Sequence, residues 1–412
     1  MADKALAGVR VVECAEGLGI PYAAKLLADL GADVIKVEPP GVGDKLRHIG
    51  PFAHNEENVE GSLKFFYANS NKRSITLDLE QEDGRKILGE LLGKADVWLR
   101  EGLPEVWAAR GLSHDAMSAQ NPRLITCAVT PFGDSGPYKD YISTPFVQEH
   151  MSGNTALYPH GTGDQDKAPC AMGGNFAEYD TGTVVAIGIL GALIYCQDSG
   201  EGQYIEMSEH EAREICLLNE NCPYPVFGIS FNREGTIQRM QASAPSYKTK
   251  DGWMSPMLSQ TPEFMRVAHV IGKDEWVDED WYKSVPERRK RCDEVFDAIQ
   301  AWAINYTTEE AVAIMQENSV PMSPVTEIKD VVGSEQLNAR HYFAEVDHPY
   351  IGHVKYPGRP YNLSKTPVTY DKTAPLLGAD TKEVLHDVLG MDDARIDALI
   401  DSGVIDGGGS RA

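Results

Sequence analysis

The chain has 412 residues, and 42% of them are hydrophobic, which is enough for a large buried core and for two or three domains. Its formal net charge is −24 at pH 7, and so acidic a surface repels nucleic acid and anionic membranes. We therefore expect neither of them as a partner. An anionic ligand would need a local basic site within this negative field.

The cysteines indicate the redox compartment. There are seven, an odd number, with no CxxC spacing and no His/Cys cluster. This usage is typical of reduced thiols in a cytosolic protein, so we expect a cytoplasmic location and no bound metal. The first residues lack the apolar core of a signal peptide, and the longest apolar stretch, residues 184–196, is short for a membrane span.

The first half of the chain alternates between strand and helix patterns. Gly8–Glu13 and Asp33–Glu38 predict strands, and Pro21–Leu30 between them predicts a helix that begins at a proline. The alternation continues with strands predicted at Ser74–Leu79, Asp96–Leu99 and Leu124–Val129 and a helix at Glu82–Leu92. Strands joined by crossover helices form a parallel sheet, so we predict an open α/β sheet of Rossmann type.

The second half has a different texture. Thr181–Tyr195 predicts a buried helix, and Tyr204–Met207 a strand that ends at a helix cap on Ser208. Residues 226–330 hold four of the six tryptophans and few strand patterns, which predicts a second, smaller domain. From residue 331 the chain has proline-bounded segments that predict extended connectors, followed by a closing helix at Met391–Leu399.

A glycine-containing turn follows the first predicted strand. Its sequence, Gly17-Leu18-Gly19-Ile20-Pro21, is not the dinucleotide fingerprint GxGxxG, because Pro21 and Tyr22 occupy the positions where that motif would close. A tight strand-to-helix turn is the simplest interpretation. The segment does not indicate a nicotinamide enzyme.

A basic segment, Asn71-Lys72-Arg73, precedes another predicted strand. Two cations and an amide at the mouth of a parallel sheet suit phosphate or pyrophosphate. A solvated loop is the alternative, and the residues alone leave both interpretations open.

Two carboxylates, Glu178 and Asp180, precede the predicted buried helix. In the structural interpretation Asp180 is the N-cap of that helix. In the functional interpretation one carboxylate is a nucleophile or an acid/base group aimed into a cleft. Composition does not choose between them, and the sequence has no GxSxG, HExxH or Walker A motif that would name a different chemistry.

Several segments, in their order along the chain, resemble the family III CoA-transferases, also called the CaiB/BaiF family. Relatives in that family include formyl-CoA transferase and α-methylacyl-CoA racemase. The segments are LAGVRVVECAEGLGIPYAAKLLADLGADVIKVEPPGVGDKLR, NSNKRSITLDLEQEDGRKILGELLGKADV, NPRLITCAVTPFGDSGPY, DTGTVVAIGILGAL, GEGQYIEMSEHEA and APLLGADTKEVL. Together they cover nearly the whole chain.

The resemblance implies a fold and a set of partners. A Rossmann-like large domain is built from both chain ends, here residues 1–225 and 331–412, and residues 226–330 form a smaller α+β domain. Two chains interlock, as a homodimer or as a heterodimer with a homologous subunit, and the CoA site lies where they meet. Coenzyme A enters as the acyl-CoA substrate, a carboxylic acid is the second substrate, and no metal takes part.

The resemblance also implies a covalent mechanism. The family aspartate that carries the acyl group and then CoA lies three residues before a Thr-Gly pair, so Thr181-Gly182 places Glu178 at its position. A glutamate extends the carboxylate by about 1.5 Å relative to an aspartate. Asp180 is an alternative nucleophile. A non-catalytic CoA-binding subunit and an acyl-CoA racemase or isomerase are alternative functions.

Further site residues follow from the same resemblance. Arg110 is implied to contact the CoA phosphates, with Asn71, Lys72 and Arg73 near CoA, and Leu18, Gly19 and Ile20 are implied to place the thioester. Two departures stand out: Pro39 replaces an arginine that the family often has, and Leu18 replaces the catalytic glutamine of formyl-CoA transferase. We therefore expect CoA transfer between acids other than formate and oxalate.

Overall fold

A computed structural model gives the structure of the chain and describes residues 4–156, 168–217, 222–228, 230, 246–256, 258 and 260–407. The chain divides into two compact units. The first comprises Met1–Gly153, Met172–Leu218 and Ala339–Ala412, and the second comprises Asn154–Ala171 and Asn219–Asn338. The domain boundaries at residues 225 and 330 stay predictions from the sequence.

The first unit contains a six-stranded sheet in which every pairing is parallel. The strands are β1 Arg10–Cys14, β2 Asp33–Glu38, β3 Arg73–Thr76, β4 Val97–Glu101, β5 Ile125–Thr130 and β6 Tyr204–Ser208. Their order across the sheet is β3-β2-β1-β4-β5-β6. The first three strands extend the sheet to one side and the last three to the other, so the strand order reverses between β1 and β4. The predicted α/β class with a parallel sheet is confirmed.

Helices connect these strands. They are α1 Gly19–Asp29, α2 Leu63–Asn69, α3 Glu82–Leu92, α4 Pro104–Ala109, α5 His114–Gln120, α6 Pro145–Met151, α7 Phe176–Ser199 and α8 Glu209–Glu214, with short 3₁₀ turns at Lys45–His48, Ala53–Asn55 and Ile215–Leu217. Two further helices, Thr381–Leu389 and Asp393–Asp401, return from the C-terminal part of the chain.

Helices cover both faces of the sheet, and successive side chains of a strand point to opposite faces, so neighbouring residues enter different cores. Val11 of β1 packs with the core formed by α1 and α7, whereas Val12 packs with the core formed by α3 and the C-terminal helices. This two-sided burial explains why neighbouring positions of a strand are both apolar, as at Val11-Val12 in β1 and Val34-Ile35 in β2.

The helix α7 is longer than the sequence predicts. It has 24 residues and begins at Phe176 with Asn175 as its N-cap, so Asp180 lies inside the helix and the N-cap interpretation is wrong. By length and composition this helix is apolar enough to cross a membrane, and 39% of its most apolar window is buried. It packs against α1 and β5, as the core helix of a globular unit does.

The proline-bounded C-terminal segment also differs from expectation. Residues Phe343–His348 and Gly352–Pro357 pair as an antiparallel hairpin, where extended connectors were predicted. A proline is compatible with this hairpin because Pro357 is the last residue of its strand, where the missing amide proton disturbs the strand pairing least.

The second unit is mainly helical. A three-stranded antiparallel sheet is formed by Tyr247–Lys248, Trp253–Pro256 and Met322–Pro324. The helices over its described residues are Pro223–Phe227, Thr261–Val270, Glu275–Asp278, Asp280–Lys283, Val285–Lys290, Cys292–Ala303, Thr308–Glu317 and Ile328–Gly333, and Glu335–Ala339 follows where the chain returns to the first unit. Their apolar faces share one core that includes Met254, Val267, Tyr282 and Ile299.

Candidate active site

Two cavities open at the carboxyl ends of the parallel strands in the first unit. Such sheets bind ligands at this edge, where the strand order reverses, which here is between β1 and β4. The cavities share the residues Glu16, Glu101 and Gly102, which follow β1 or end β4, so they adjoin each other. We name them the Glu178 cavity and the Arg110 cavity.

The Glu178 cavity has a volume of about 470 Å³. Its wall is formed by Glu16, Gly17, Leu18, Gly19, Ile20, Lys45, Leu46, Ile49, Lys64, Glu101, Gly102, Val129, Pro131, Ser143, Thr144, Pro145, Asn175, Glu178 and Glu209. A cavity of this size lies in the range of small-molecule sites, about 300–1,000 Å³. It brings Glu178 together with the predicted residues Leu18, Gly19 and Ile20.

Glu178 lies in the first turn of α7, at the helix end where backbone amides favour negative charge. Its Oε1 accepts a hydrogen bond from Asn175 Nδ2 at 2.7 Å. Asn175 has a left-handed backbone, with φ of 58°, which a short polar side chain tolerates. The turn before the helix therefore orients the carboxylate through the side chain of its own N-cap residue.

Two glycines bring α1 and α7 into close backbone contact at this carboxylate. A Cβ atom at Gly182 would lie 2.4 Å from the carbonyl oxygen of Gly19, and one at Gly19 would lie 3.0 Å from that of Glu178. Larger side chains would therefore separate the two helices. The glycines set the position of Glu178 relative to the turn after β1.

The first turn of α1 presents backbone amides to the same place. The amides of Gly19 and Ile20 have no acceptor among the described residues, and Pro21 has no amide proton. The turn itself is fixed, because the amide of Gly17 donates to Asp44 Oδ1 at 3.0 Å. Two preorganised donors thus lie beside Glu178, in the arrangement that stabilises a developing oxyanion.

A buried ionic network supports this turn from inside. Lys36 Nζ lies 2.7 Å from Asp44 Oδ2 and 2.9 Å from Glu13 Oε1, and Lys72 Nζ lies 2.7 Å from Glu13 Oε2. Burial lowers the pKa of Lys72 to about 8 against the attraction of Glu13, whereas Lys36, with several carboxylates facing it, has a raised pKa. The network holds Asp44, which in turn holds the amide of Gly17.

The Arg110 cavity has a volume of about 400 Å³. Arg110 Nη2 pairs with Glu80 Oε1 at 2.6 Å, and the guanidinium lies over the ring of Trp107, 5.5 Å from its centroid. Glu80 is 79% exposed, so this pair is solvated and can exchange partners. Arg110 is therefore accessible to an anionic ligand at the sheet edge.

The basic segment is placed differently from its prediction. Lys72 is buried, and its ammonium donates to Glu13, to Asn69 Oδ1 at 2.7 Å and to the carbonyl of Pro21 at 2.8 Å, which uses all its protons. Arg73, the first residue of β3, pairs with Asp33 through Nε at 2.9 Å and Nη2 at 2.6 Å.

Asn71 completes the segment, and its Nδ2 donates to Asp29 Oδ1 at 2.7 Å. The segment precedes β3, at the edge opposite the strand ends that form the cavities. It lines neither cavity, and protein groups engage donors of all three side chains, so the expected contact with CoA stays a prediction that neither cavity supports.

Asp180 is not brought to the Glu178 cavity. Two residues along a helix lie on opposite sides of it, and the Oδ2 of Asp180 lies 3.9 Å from Cys216 Sγ. Burial raises the pKa of the Asp180 carboxyl, with Arg213 opposing that change. Of the two candidate carboxylates, the structure places Glu178 alone among the residues that line the cavity.

The cavity also contains charged residues that the sequence analysis did not single out. Lys45 and Lys64 contribute cations, and Glu101 and Glu209 contribute carboxyl groups whose pKa values are raised by burial. Of these residues, Lys64 alone has a signal in the sequence, because it is the one charged residue of the segment LKFFYAN. The others come from segments distant in sequence.

The site thus has a carboxylate beside free backbone amides and an adjoining cavity with an accessible arginine, in an α/β unit. The chain belongs to the CoA-transferase family III, whose model matches residues 6–381. It is therefore a transferase of that family.

Named relatives and a solved structure agree with this membership. The chain is 31% identical over 387 residues to a succinate–glutarate CoA-transferase of Agrobacterium fabrum, covering 93% of this chain and 95% of the relative. It is 32% identical over 429 residues to a formyl-CoA:oxalate CoA-transferase of Bradyrhizobium, covering 98% of each. The crystal structure of a CaiB/BaiF family protein from Brucella suis matches with a TM-score of 0.80 and 27% identity, covering 94% of this chain and 100% of that one.

Proposed function

We propose that this enzyme moves CoA between an acyl-CoA thioester and a free carboxylic acid, with Glu178 as the covalent nucleophile. The observation that carries the proposal is the position of the Glu178 carboxylate, oriented by Asn175 in a cavity that also presents the free amides of Gly19 and Ile20. The named relatives act on such pairs of substrates, formyl-CoA and oxalate among them.

The proposed reaction balances without an oxidant or an added proton. The Glu178 carboxylate attacks the thioester carbonyl, the C–S bond breaks, and CoA leaves as a thiolate while a mixed anhydride forms. The thiolate then attacks the glutamyl carbonyl of that anhydride, which releases the donor acid as a carboxylate and leaves a glutamyl–CoA thioester. The acceptor carboxylate reverses both steps with its own acyl group, and Glu178 is restored.

Each remaining group has a role in these steps. The amides of Gly19 and Ile20 donate to the oxyanion that forms at each addition, and Leu18 lines the wall beside them. Arg110 binds phosphate groups of CoA after leaving Glu80. CoA thus lies across the residues that both cavities share, Glu16, Glu101 and Gly102, with its thioester at Glu178.

We also propose a dimer, interlocked as the family resemblance implies. Its support in this chain is an exposed apolar stripe on α7, formed by Ile187, Ile194 and Tyr195, whose side chains are 64%, 64% and 50% exposed. Ile194 and Tyr195 follow Ile187 by seven and eight positions, which is about two helical turns, so the three residues share one face of the helix. A partner of the same or a homologous sequence would bury that stripe. We further propose a cytoplasmic location, and the free cysteines support it.

The function is tested by trapping the covalent intermediate. The purified protein is incubated with a panel of acyl-CoAs and reduced with borohydride, which converts a glutamyl thioester to a primary alcohol, and the modified peptide is mapped by mass spectrometry. We expect the change on Glu178 and its loss in Glu178→Ala. Asp180→Asn serves as the matched carboxylate control and should still be modified at Glu178.

Other outcomes have distinct meanings. Modification of Asp180 would refute the assignment of the nucleophile while keeping the transferase. Binding of CoA without any modification would refute covalent catalysis by this chain and favour a silent subunit. Light scattering of the protein purified alone, beside an Ile194→Glu variant, tests the dimer, which should dissociate when the apolar stripe carries a charge.

A further inference from the structure

Lys64 is a cation that the described fold leaves without a counter-ion. It lies in the first turn of α2, is half-buried, and forms part of the wall of the Glu178 cavity. Its ammonium has no hydrogen bond or ion pair with any described residue. Cations in the first turn of a helix lie at the unfavourable end of its dipole, so the stability of α2 does not explain this lysine.

The other charges of the cavity do not supply the missing partner. Lys45 is 58% exposed and already lies 3.7 Å from Glu16. The carboxylate of Glu209 accepts a hydrogen bond from Gln148 at 2.6 Å, and neither Glu209 nor Glu101 forms an ion pair with Lys64 among the described contacts. Among the described residues, Lys64 is thus the cation of this cavity that has no ion pair.

We propose that Lys64 binds the second carboxylate of a dicarboxylic acyl substrate while the first carboxyl group reacts at Glu178. The inference rests on the proposed transfer function and specifies its substrate class. A monocarboxylic acid loses its charge when it becomes a thioester or an anhydride, whereas a dicarboxylic acid keeps one carboxylate throughout. That remaining charge meets a half-buried ammonium, and the charge-assisted hydrogen bond is made both in the bound acyl-CoA and in the mixed anhydride.

The cavity wall supports this class over a purely apolar acyl chain. Leu18, Leu46, Ile49 and Val129 supply apolar surface for the methylene groups between the two carboxyl groups. An apolar acyl chain would fill the same surface but would leave the ammonium of Lys64 partly desolvated and unpaired, which is unfavourable. A CoA phosphate is the competing ligand for Lys64, and it predicts a different kinetic result.

The test compares two thioesters that differ at one end. Succinyl-CoA and butyryl-CoA have acyl chains of equal length, and the first ends in a carboxylate where the second ends in a methyl group. The rate of Glu178 modification is measured for each in single turnovers stopped with borohydride. We expect the wild-type enzyme to prefer succinyl-CoA by about 10- to 100-fold, the range of one charge-assisted hydrogen bond. In Lys64→Met the preference should disappear, with the butyryl-CoA rate retained.

Two further variants and three contrary outcomes complete the test. Lys64→Arg should keep the preference, and Lys86→Met, an exposed lysine on α3, controls for the change in net charge. Equal slowing of both thioesters by Lys64→Met would assign Lys64 to the common CoA portion and overturn the proposal, as would a wild-type enzyme that does not discriminate. If neither thioester modifies Glu178 while CoA binds, the proposed function itself fails, which is a separate result.

Discussion

Replacement of Lys72 by methionine separates two roles for this residue, a phosphate ligand and an internal brace. Its side chain is fully buried, and its three donors meet Glu13, Asn69 and the carbonyl of Pro21. Methionine has a similar length and no charge, so Lys72→Met keeps the volume and removes the ammonium. We expect a large loss of stability and little direct effect on the affinity for CoA.

The magnitude follows from these contacts. Removing one partner of a buried ion pair costs about 3–5 kcal/mol, because the other charge stays buried. Lys36 still faces Glu13 at 2.9 Å, which puts the expected loss near the lower end, about 3 kcal/mol. At roughly 2–4 °C per kcal/mol for a unit of this size, Tm should fall by about 6–12 °C.

The assay combines calorimetry with binding. Tm and the free energy of unfolding are measured at pH 7 for the wild-type protein, Lys72→Met and the exposed control Lys86→Met, and CoA binding is measured by titration calorimetry well below each Tm. We expect the control to match the wild type within about 0.5 kcal/mol. A normal Tm for Lys72→Met together with a tenfold weaker CoA complex would refute the internal role and restore the phosphate contact.

Three further changes give separate expectations. Gly182→Ala places a Cβ 2.4 Å from a backbone oxygen of α1, and it should lower the free energy of unfolding in denaturant by about 1–3 kcal/mol. Gly191→Ala, with open space around it, should be neutral or stabilising. Equal effects of the two substitutions would refute the close helix contact. Glu80→Gln frees Arg110 and should tighten CoA binding by roughly two- to fivefold at low salt, the scale of one exposed ion pair, and weaker binding would contradict the exchange. Burial, aided by a nearby arginine, lowers the pKa of His348 to about 4. The folded state therefore resists protonation of this side chain, and stability should be full above the unfolded value of about 6.5 and fall as the pH drops from there towards 4. The free energy of unfolding is measured in guanidinium at pH 7 and at pH 5. Between these two pH values it should fall less for His348→Asn than for the wild type, and an equal fall would exclude this histidine as the cause.

The regular elements of the sheet could be predicted from the sequence because their pattern is local. Asp33–Glu38 and Glu82–Leu92 have the same bounds in the structure as in the prediction. The start of α7 could not be placed, since the cap is Asn175 in a left-handed conformation that follows two glycines, and the apolar pattern begins only at Thr181.

The candidate site divides in the same way. Glu178 and the turn after β1 could be predicted only through the family resemblance, because the residues alone left other interpretations open, and the structure brings them together in one cavity. The destination of Lys72 could not be predicted, because it depends on which strands lie side by side and on how deep a long side chain reaches between them. The role proposed for Lys64 could not be predicted either, because the lack of a counter-ion among the described residues is a property of tertiary packing.

In the proposed function, the rim formed by Glu16, Glu101 and Gly102 separates the cavity that recognises the acid from the cavity that binds CoA. Apart from these residues the two cavities have different walls. A substitution that changes which acid is bound need not weaken the binding of CoA. Such a layout lets acid preference drift during evolution while the carrier stays the same, and the differing acids named for the relatives are the outcome expected of it. For protein engineering, the wall around Lys64 is the part to diversify and the Arg110 cavity is the part to leave unchanged.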